Sequence, residues 1–176
     1  AQLSPLNGAE RLAVELAEEL NKRGFQTDIL TMYTEDMPGM TEAKQNLLFR
    51  GIPAIHFLGL KVHPLITSLI PAIWRLRHLI KKQEYDIVET SMVFPTIFAS
   101  WATRGTKARH VAGLHRVFIR DRDNTNKHML WRISVRCNRR IRYYAISDYA
   151  TNYWIRYSRT LPEHTRRIYN AISDEY

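Results

Sequence analysis

Apolar positions along the chain change period repeatedly, and those changes divide it into alternating helices and short strands. From about Ala9 to Lys22, residues Leu12, Ala13, Leu16, Ala17 and Leu20 fall at helical spacing and make one stripe. Glu10, Glu15, Glu18, Glu19, Lys22 and Arg23 take the other faces. Gly24 stands where a glycine commonly closes a helix, and Phe25–Thr31 then reads as a strand. A short helix is expected from about Thr41 to Phe49. Ile52–Leu58 follows as a buried strand, with Pro53 near its start, where a missing donor is tolerated. Leu65–Lys82 predicts a long helix with Leu65, Ile66, Leu69, Ile70, Ile73, Leu76 and Ile80 on its apolar side. Pro71 either kinks it or marks its true first turn. Four strands are read further on, over Tyr85–Thr90, Arg109–His115, Tyr143–Ser147 and Arg166–Tyr169. Helices over Phe94–Thr103, His128–Arg140 and Asp148–Arg159 separate them.

Short strands alternating with helices predict an α/β fold, a Rossmann-like doubly wound sheet, mostly parallel, with helices on both faces. In that architecture ligands sit at the carboxyl ends of the strands. Topology alone therefore selects the Asn7-Gly8 loop, the Thr90-Ser91 turn, His115 with Arg116, and Ser147-Asp148. The last pair also fits a helix N-cap, the simpler reading of a serine before a helix. The Asn7-Gly8 loop precedes a helix N-terminus, whose free N–H groups can hold an anion or can simply be capped. A doubly wound domain opens on a central strand, and only Ala1-Gln2-Leu3 stand before this loop, so that strand is expected to be largely missing.

Composition narrows the partners. With 26 lysine and arginine residues against 17 acidic ones, the 176-residue chain carries +9. That charge suits an anionic partner: a phosphorylated small molecule, a phospholipid surface or a nucleic acid. The lone cysteine, Cys137, cannot pair within the chain, which points to a reducing, cytoplasmic compartment. No signal peptide is visible, and the apolar run near Pro64–Trp74 is too short to span a bilayer. The seven histidines are scattered without metal-site spacing.

Several segments in order resemble one family. Asn7-Gly8-Ala9-Glu10-Arg11, a leucine-rich helix and Arg23-Gly24-Phe25 resemble the Gly-Gly-Ala-Glu-Arg loop, helix and Arg-Gly-His of the family 4 glycosyltransferases, which have the GT-B fold. Tyr85–Ser91 resembles that family's Pro-Asp-Val-Val-His-Ala-His strand, and Arg109–His115 its strand ending in Thr-x-His. Tyr144–Ser147 resembles the Val-Ile-Ala-Val-Ser strand, and Ile168–Ser173 the Ile-Pro-Asn-Gly-Ile-Asp stretch that enters the second domain. Together these segments span nearly the whole chain.

The resemblance implies the first of two Rossmann-like domains, the acceptor side, over residues 1–169, with an interdomain linker beginning over 170–176. The implied reaction moves a sugar from a nucleotide-diphosphate sugar to an acceptor hydroxyl with retention at the anomeric carbon, in cell-surface glycan or polysaccharide synthesis. No cofactor or metal is implied; the nucleotide sugar is a substrate. By the same resemblance Gly8, with Asn7 in place of a first glycine, approaches the donor diphosphate. His115 lies near the reacting sugar and is the catalytic candidate. Ser91, His115 and Arg116 face the acceptor, while Glu89 and Ser91 stand where the family has histidines, which implies a different acceptor contact or none. Glu10 and Glu18 share the spacing of the family's Glu-x7-Glu signature but lack its glycines, and read as solvated helix charges. The implied partners are a nucleotide sugar, a glycan or lipid-linked acceptor and a C-terminal donor-binding domain; alone, the chain is expected to be inactive.

The basic amphipathic Leu65–Lys82 segment and Arg132, Arg136, Arg139, Arg140 and Arg142 also suit an anionic membrane surface at the inner face of the membrane. The competing reading is a basic nucleic-acid- or membrane-binding α/β module without catalysis. No helix-turn-helix, zinc-finger or RNP pattern supports nucleic acid as a partner. A nucleotide-sugar epimerase is a third reading, against which stands the lack of G-x-G-x-x-G and of a Tyr-x-x-x-Lys pair.

Overall fold

The computed structural model describes residues 8–35, 40–60, 65–118, 125–158 and 162–169. The chain forms two compact units, Ala1–Arg75 and Leu76–Tyr176, with the boundary inside one long helix.

The first unit opens with α1 (Gly8–Lys22), followed by β1 (Ile29–Tyr33), α2 (Met40–Phe49), β2 (Ile55–Leu60) and the start of α3 (Leu65–Lys82). β1 and β2 pair in parallel, with Ile29 opposite Ile55 and Thr31 opposite Phe57. Ala17, Leu47 and Ile52 are buried together, with Val14, Ile29 and Ile55 against them. Leu16, expected in the buried stripe of α1, is instead 41% exposed.

Both strands begin later than the pattern predicts, because helix endings take the first residues. Gly24 adopts φ +86°. The Phe25 N–H returns to the Leu20 carbonyl and the Gly24 N–H to that of Asn21, which is a left-handed helix cap. Asn21 then clamps Thr27 through its side-chain oxygen at 2.9 Å. Pairing therefore starts only at Ile29, whose N–H reaches the Ala54 carbonyl. α2 ends in the same way on Gly51 (φ +75°), which draws the Ile52 N–H back to Leu47. Pro53 has no N–H to offer, so β2 starts at Ile55.

α3 is helical straight through Pro71, with Ala72, Leu76 and Ile80 buried and Ile70 and Trp74 exposed. Ile70 therefore leaves the predicted buried stripe.

The second unit contains β3 (Ile87–Ser91), α4 (Val93–Thr103), β4 (Arg109–Leu114), α5 (Thr125–Cys137), β5 (Arg142–Ala145), α6 (Asp148–Ser158), a short 3₁₀ turn (Pro162–His164) and β6 (Thr165–Arg167). Its four strands lie in the order β3-β4-β5-β6, every pair parallel. One face carries Ala112, Leu114, Tyr143 and Ala145 into a core shared with Val93, Ile97, Phe118, Trp131, Ala150 and Trp154. α5 ends at Cys137, three residues short of the predicted helix, because Asn138 is recruited as an anchor. Its amide donates to the Ser100 carbonyl and to Thr103 Oγ1, and its oxygen accepts the Arg140 N–H. The predicted linker, 170–176, lies outside the described residues.

Candidate functional site

The parallel register of the second unit sets Ser91 beside Gly113 and Gly113 beside Tyr144, a row across three strands near their carboxyl ends. Glu89 lies two residues before Ser91, on the same face. Tyr144 reaches across the row, and its hydroxyl donates to Glu89 Oε1 at 2.9 Å. Ser91 Oγ donates to the same oxygen at 3.3 Å. Only a glycine allows this crossing. A Cβ on Gly113 would stand 2.5 Å from Tyr144 Oη, 2.6 Å from its Cζ and 2.8 Å from His115 Nε2.

His115 follows the last residue of β4 and meets Tyr144 edge-on, ring centroids 5.8 Å apart at 86°. The imidazole is half-buried, and both of its nitrogens are enclosed without a hydrogen-bond partner among the described residues. Burial lowers its pKa, so the neutral ring, one donor and one acceptor, is the resident form near neutral pH. Burial raises the Glu89 carboxyl against the two hydroxyl donors, which pull it down. Burial, with the charge of Glu89 beside it, raises the Tyr144 phenol as well, which keeps Tyr144 an O–H donor. The resulting cluster can accept and donate hydrogen bonds to a hydroxyl, and its histidine holds unused capacity for both.

The turn after β3 is fixed tightly. Met92 takes φ +83°, rare for a side-chain-bearing residue, and donates its N–H to the Gly113 carbonyl. Its own carbonyl accepts Thr96 Oγ1 at 2.8 Å. On the opposite face of the sheet the polar chain continues. Because the Thr96 hydroxyl donates to Met92, Thr90 donates to Thr96, and His110 Nε2–H donates to Thr90. His110 Nδ1 is thereby left as an acceptor without a partner among the described residues, and burial takes the ring down to about 4.

Of the residues selected from the sequence, Ser91 and His115 come together around Gly113. Arg116 is exposed just past His115, and its carbonyl accepts the Trp154 indole N–H. Gly8 opens α1 in the other unit, exposed, with open space where a Cβ would stand. Asn7 lies outside the described residues. Ser147 Oγ accepts the Ala150 N–H and Asp148 pairs with Arg167, so that strand end is a helix cap. Tyr144 and Gly113 stand outside that selection and join the site through the strand register alone.

The sequence model of Glycosyltransferase Family 4 matches residues 6–176. The chain belongs to glycosyltransferase family 4. No curated protein matches the chain. Among solved structures, a glycosyltransferase from Rickettsia africae matches with TM-score 0.71 and 18% identity over 98% of this chain and 41% of its own. HepE of Anabaena, solved in complex with UDP, matches with TM-score 0.68 and 17% identity, over 94% and 41%. A UDP-N-acetylglucosamine 2-epimerase from Rickettsia bellii gives 0.61 and 13%, over 89% and 41%. At these identities the structural likeness establishes the Rossmann-like fold alone, which a transferase and an epimerase share. The family match is what identifies this chain as glycosyltransferase-like. The family 4 chain spans about two-fifths of the length of each of these structures.

Proposed function

We propose that this chain is the acceptor-binding half of a retaining glycosyltransferase. In this reading a donor-binding domain supplies the nucleotide-diphosphate sugar. The sugar passes to an acceptor hydroxyl held at the carboxyl edge of β3, β4 and β5. The observation that carries the reading is the His115 imidazole, its two nitrogens enclosed and without a partner among the described residues, beside the Glu89–Tyr144–Ser91 cluster, in a family 4 chain.

In the step proposed, the acceptor oxygen forms a bond to the anomeric carbon as the bond from that carbon to the diphosphate oxygen breaks. His115 hydrogen-bonds the reacting hydroxyl, and the departing diphosphate takes up its proton. Asn7 and Gly8 are assigned to the donor diphosphate, whose growing charge the helix amino end that opens at Gly8 would stabilise. UDP bound in HepE supports a nucleotide sugar as the donor. Ser91 and Arg116 complete the acceptor side. No metal enters the scheme.

A lipid-linked acceptor in cell-surface glycan synthesis is the context proposed. α3 leaves Ile70 and Trp74 exposed and ends on Lys81 and Lys82, a combination suited to an anionic leaflet. Among the described residues no helix is long and apolar enough to cross a membrane.

The test is a transfer assay on the full-length enzyme with a panel of nucleotide-diphosphate sugars, the product anomer being read by NMR coupling. The reading expects transfer with retention, and none from residues 1–176 alone. Inversion, or hydrolysis and epimerisation without transfer for every donor, contradicts it.

A further inference from the structure

Between α5 and α6 the surface closes into a groove of about 590 Å³, which the proposed transfer step does not use. Arg132 and Arg136 line it from α5, and Tyr149, Tyr153, Tyr157 and Arg156 from α6. The three tyrosines recur every fourth residue, so they form a rail of about 12 Å along one side of α6. Tyr153 and Tyr157 are stacked, with centroids 5.4 Å apart and rings within 7° of parallel. Tyr157 is pinned by a hydrogen bond to His128 Nδ1. The Arg132 guanidinium rests 5.1 Å from the centre of the Tyr157 ring. Tyr149, at the other end, is 72% exposed.

None of the three arginines forms an ion pair with a described carboxylate, although exposed arginines elsewhere do, as Arg11 does with Glu15 and Arg23 with Glu19. Arg132 and Arg136 are also like charges at a spacing that weakens a helix. The one visible return is the contact of Arg132 with the Tyr157 ring. A row of tyrosines beside guanidiniums without carboxylate partners matches one ligand chemistry. A sugar ring can stack on the exposed Tyr149, and acid groups take bidentate hydrogen bonds from arginine.

We propose that the α5–α6 groove binds an anionic saccharide, a chain of sugar rings bearing carboxylate or phosphate groups, and so holds an acidic glycan away from the reacting end. The proposal rests on the glycosyltransferase reading for the choice of sugars over nucleotides, since single-stranded nucleic acid also combines stacking with negative charge.

Titration of the protein with hexagalacturonate, the neutral hexamer maltohexaose and the oligonucleotide (dT)12, followed by calorimetry, tests it. Hexagalacturonate should bind, weakening as salt rises, and maltohexaose should bind at least about tenfold less tightly. The exposed arginines can be changed without disturbing the core. The triple variant R132Q/R136Q/R156Q should therefore keep its melting temperature and lose at least about tenfold in affinity, and Y149A should lose several-fold. H115Q should bind hexagalacturonate as the parent does while losing transfer, which separates failure of this groove from failure of the transferase reading. Absence of hexagalacturonate binding, binding indifferent to the triple variant, equal binding of maltohexaose, or tighter binding of (dT)12 each overturns the proposal.

Discussion

Replacing Gly113 by alanine should damage the site through one identifiable contact. The added methyl would lie 2.5 Å from Tyr144 Oη, 2.6 Å from Cζ and 2.8 Å from His115 Nε2. Carbon contacts are comfortable near 3.5 Å, so the tyrosine ring must retreat by about 1 Å. That retreat breaks its 2.9 Å hydrogen bond to Glu89. Overpacking costs about 1–3 kcal/mol, and the lost hydrogen bond about 1–2 kcal/mol. Removing a glycine from the unfolded chain returns about 0.4–1 kcal/mol. The net loss is about 1–5 kcal/mol, a fall in Tm of roughly 3–15 °C for a chain of this size. Thermal unfolding followed by circular dichroism measures it. The partner is named by a double mutant: once Tyr144 is alanine, the same change at Gly113 should cost under about 1 kcal/mol, because the remaining neighbour, His115 Nε2, is the tip of a side chain that can turn. A G113A protein melting within about 2 °C of the parent, or an equal penalty in the Y144A background, would refute the crossing of Tyr144 over Gly113.

Glu89→Gln should stabilise the protein at neutral pH and lower transfer. The folded carboxyl is raised by burial, so its favourable, protonated form is present at acid pH and lost as pH rises through the raised value. The advantage of E89Q in urea unfolding should therefore grow from acid to neutral pH; an advantage that shrinks contradicts the buried carboxyl. His110 titrates with the opposite sign. Its folded value of about 4 lies below the ordinary imidazole value, so it contributes stability above about pH 6.5 that is lost as pH falls toward 4. H110Q, which keeps a donor for Thr90, should flatten that loss, and an unchanged pH profile would count against it. Glu84 closes α3 at φ +54°, the place that Gly24 and Gly51 take after α1 and α2. Glu84→Gly should relieve the left-handed strain and stabilise the fold by about 0.5–1 kcal/mol; a lower midpoint in urea would show that the strain is absent.

The order of helices and strands was legible because the apolar period changes at each boundary, and every paired strand is parallel, as alternating elements require. Their edges were less legible. Phe25–Asp28 and Ile52–Ala54 have strand composition, yet helix caps at Gly24 and Gly51 claim the backbone that would have paired. Hydrophobicity does not encode that competition. Likewise Ile70 and Trp74 have the chemistry of a core and lie exposed. At the site, His115 and Ser91 could be chosen because strand ends are where α/β sheets bind ligands. Tyr144 could not be, since a tyrosine within a strand suits either face. It becomes a site residue only through a three-strand register that leaves room above a glycine. The α5–α6 groove was visible in the sequence only as basic and aromatic residues, because the alignment of two helices decides which of them share a wall.

The central claim is that His115 meets the acceptor hydroxyl and not the nucleotide. Steady-state kinetics of full-length H115Q, beside calorimetric titration of the donor nucleotide, test it most directly. The account predicts that kcat and the apparent affinity for acceptor fall, kcat by at least about a hundredfold, the scale of a lost proton-handling group. Nucleotide affinity should stay at the parent value. A variant that keeps its kcat, or one that loses nucleotide affinity instead, would contradict the assignment of this edge of the sheet to the acceptor.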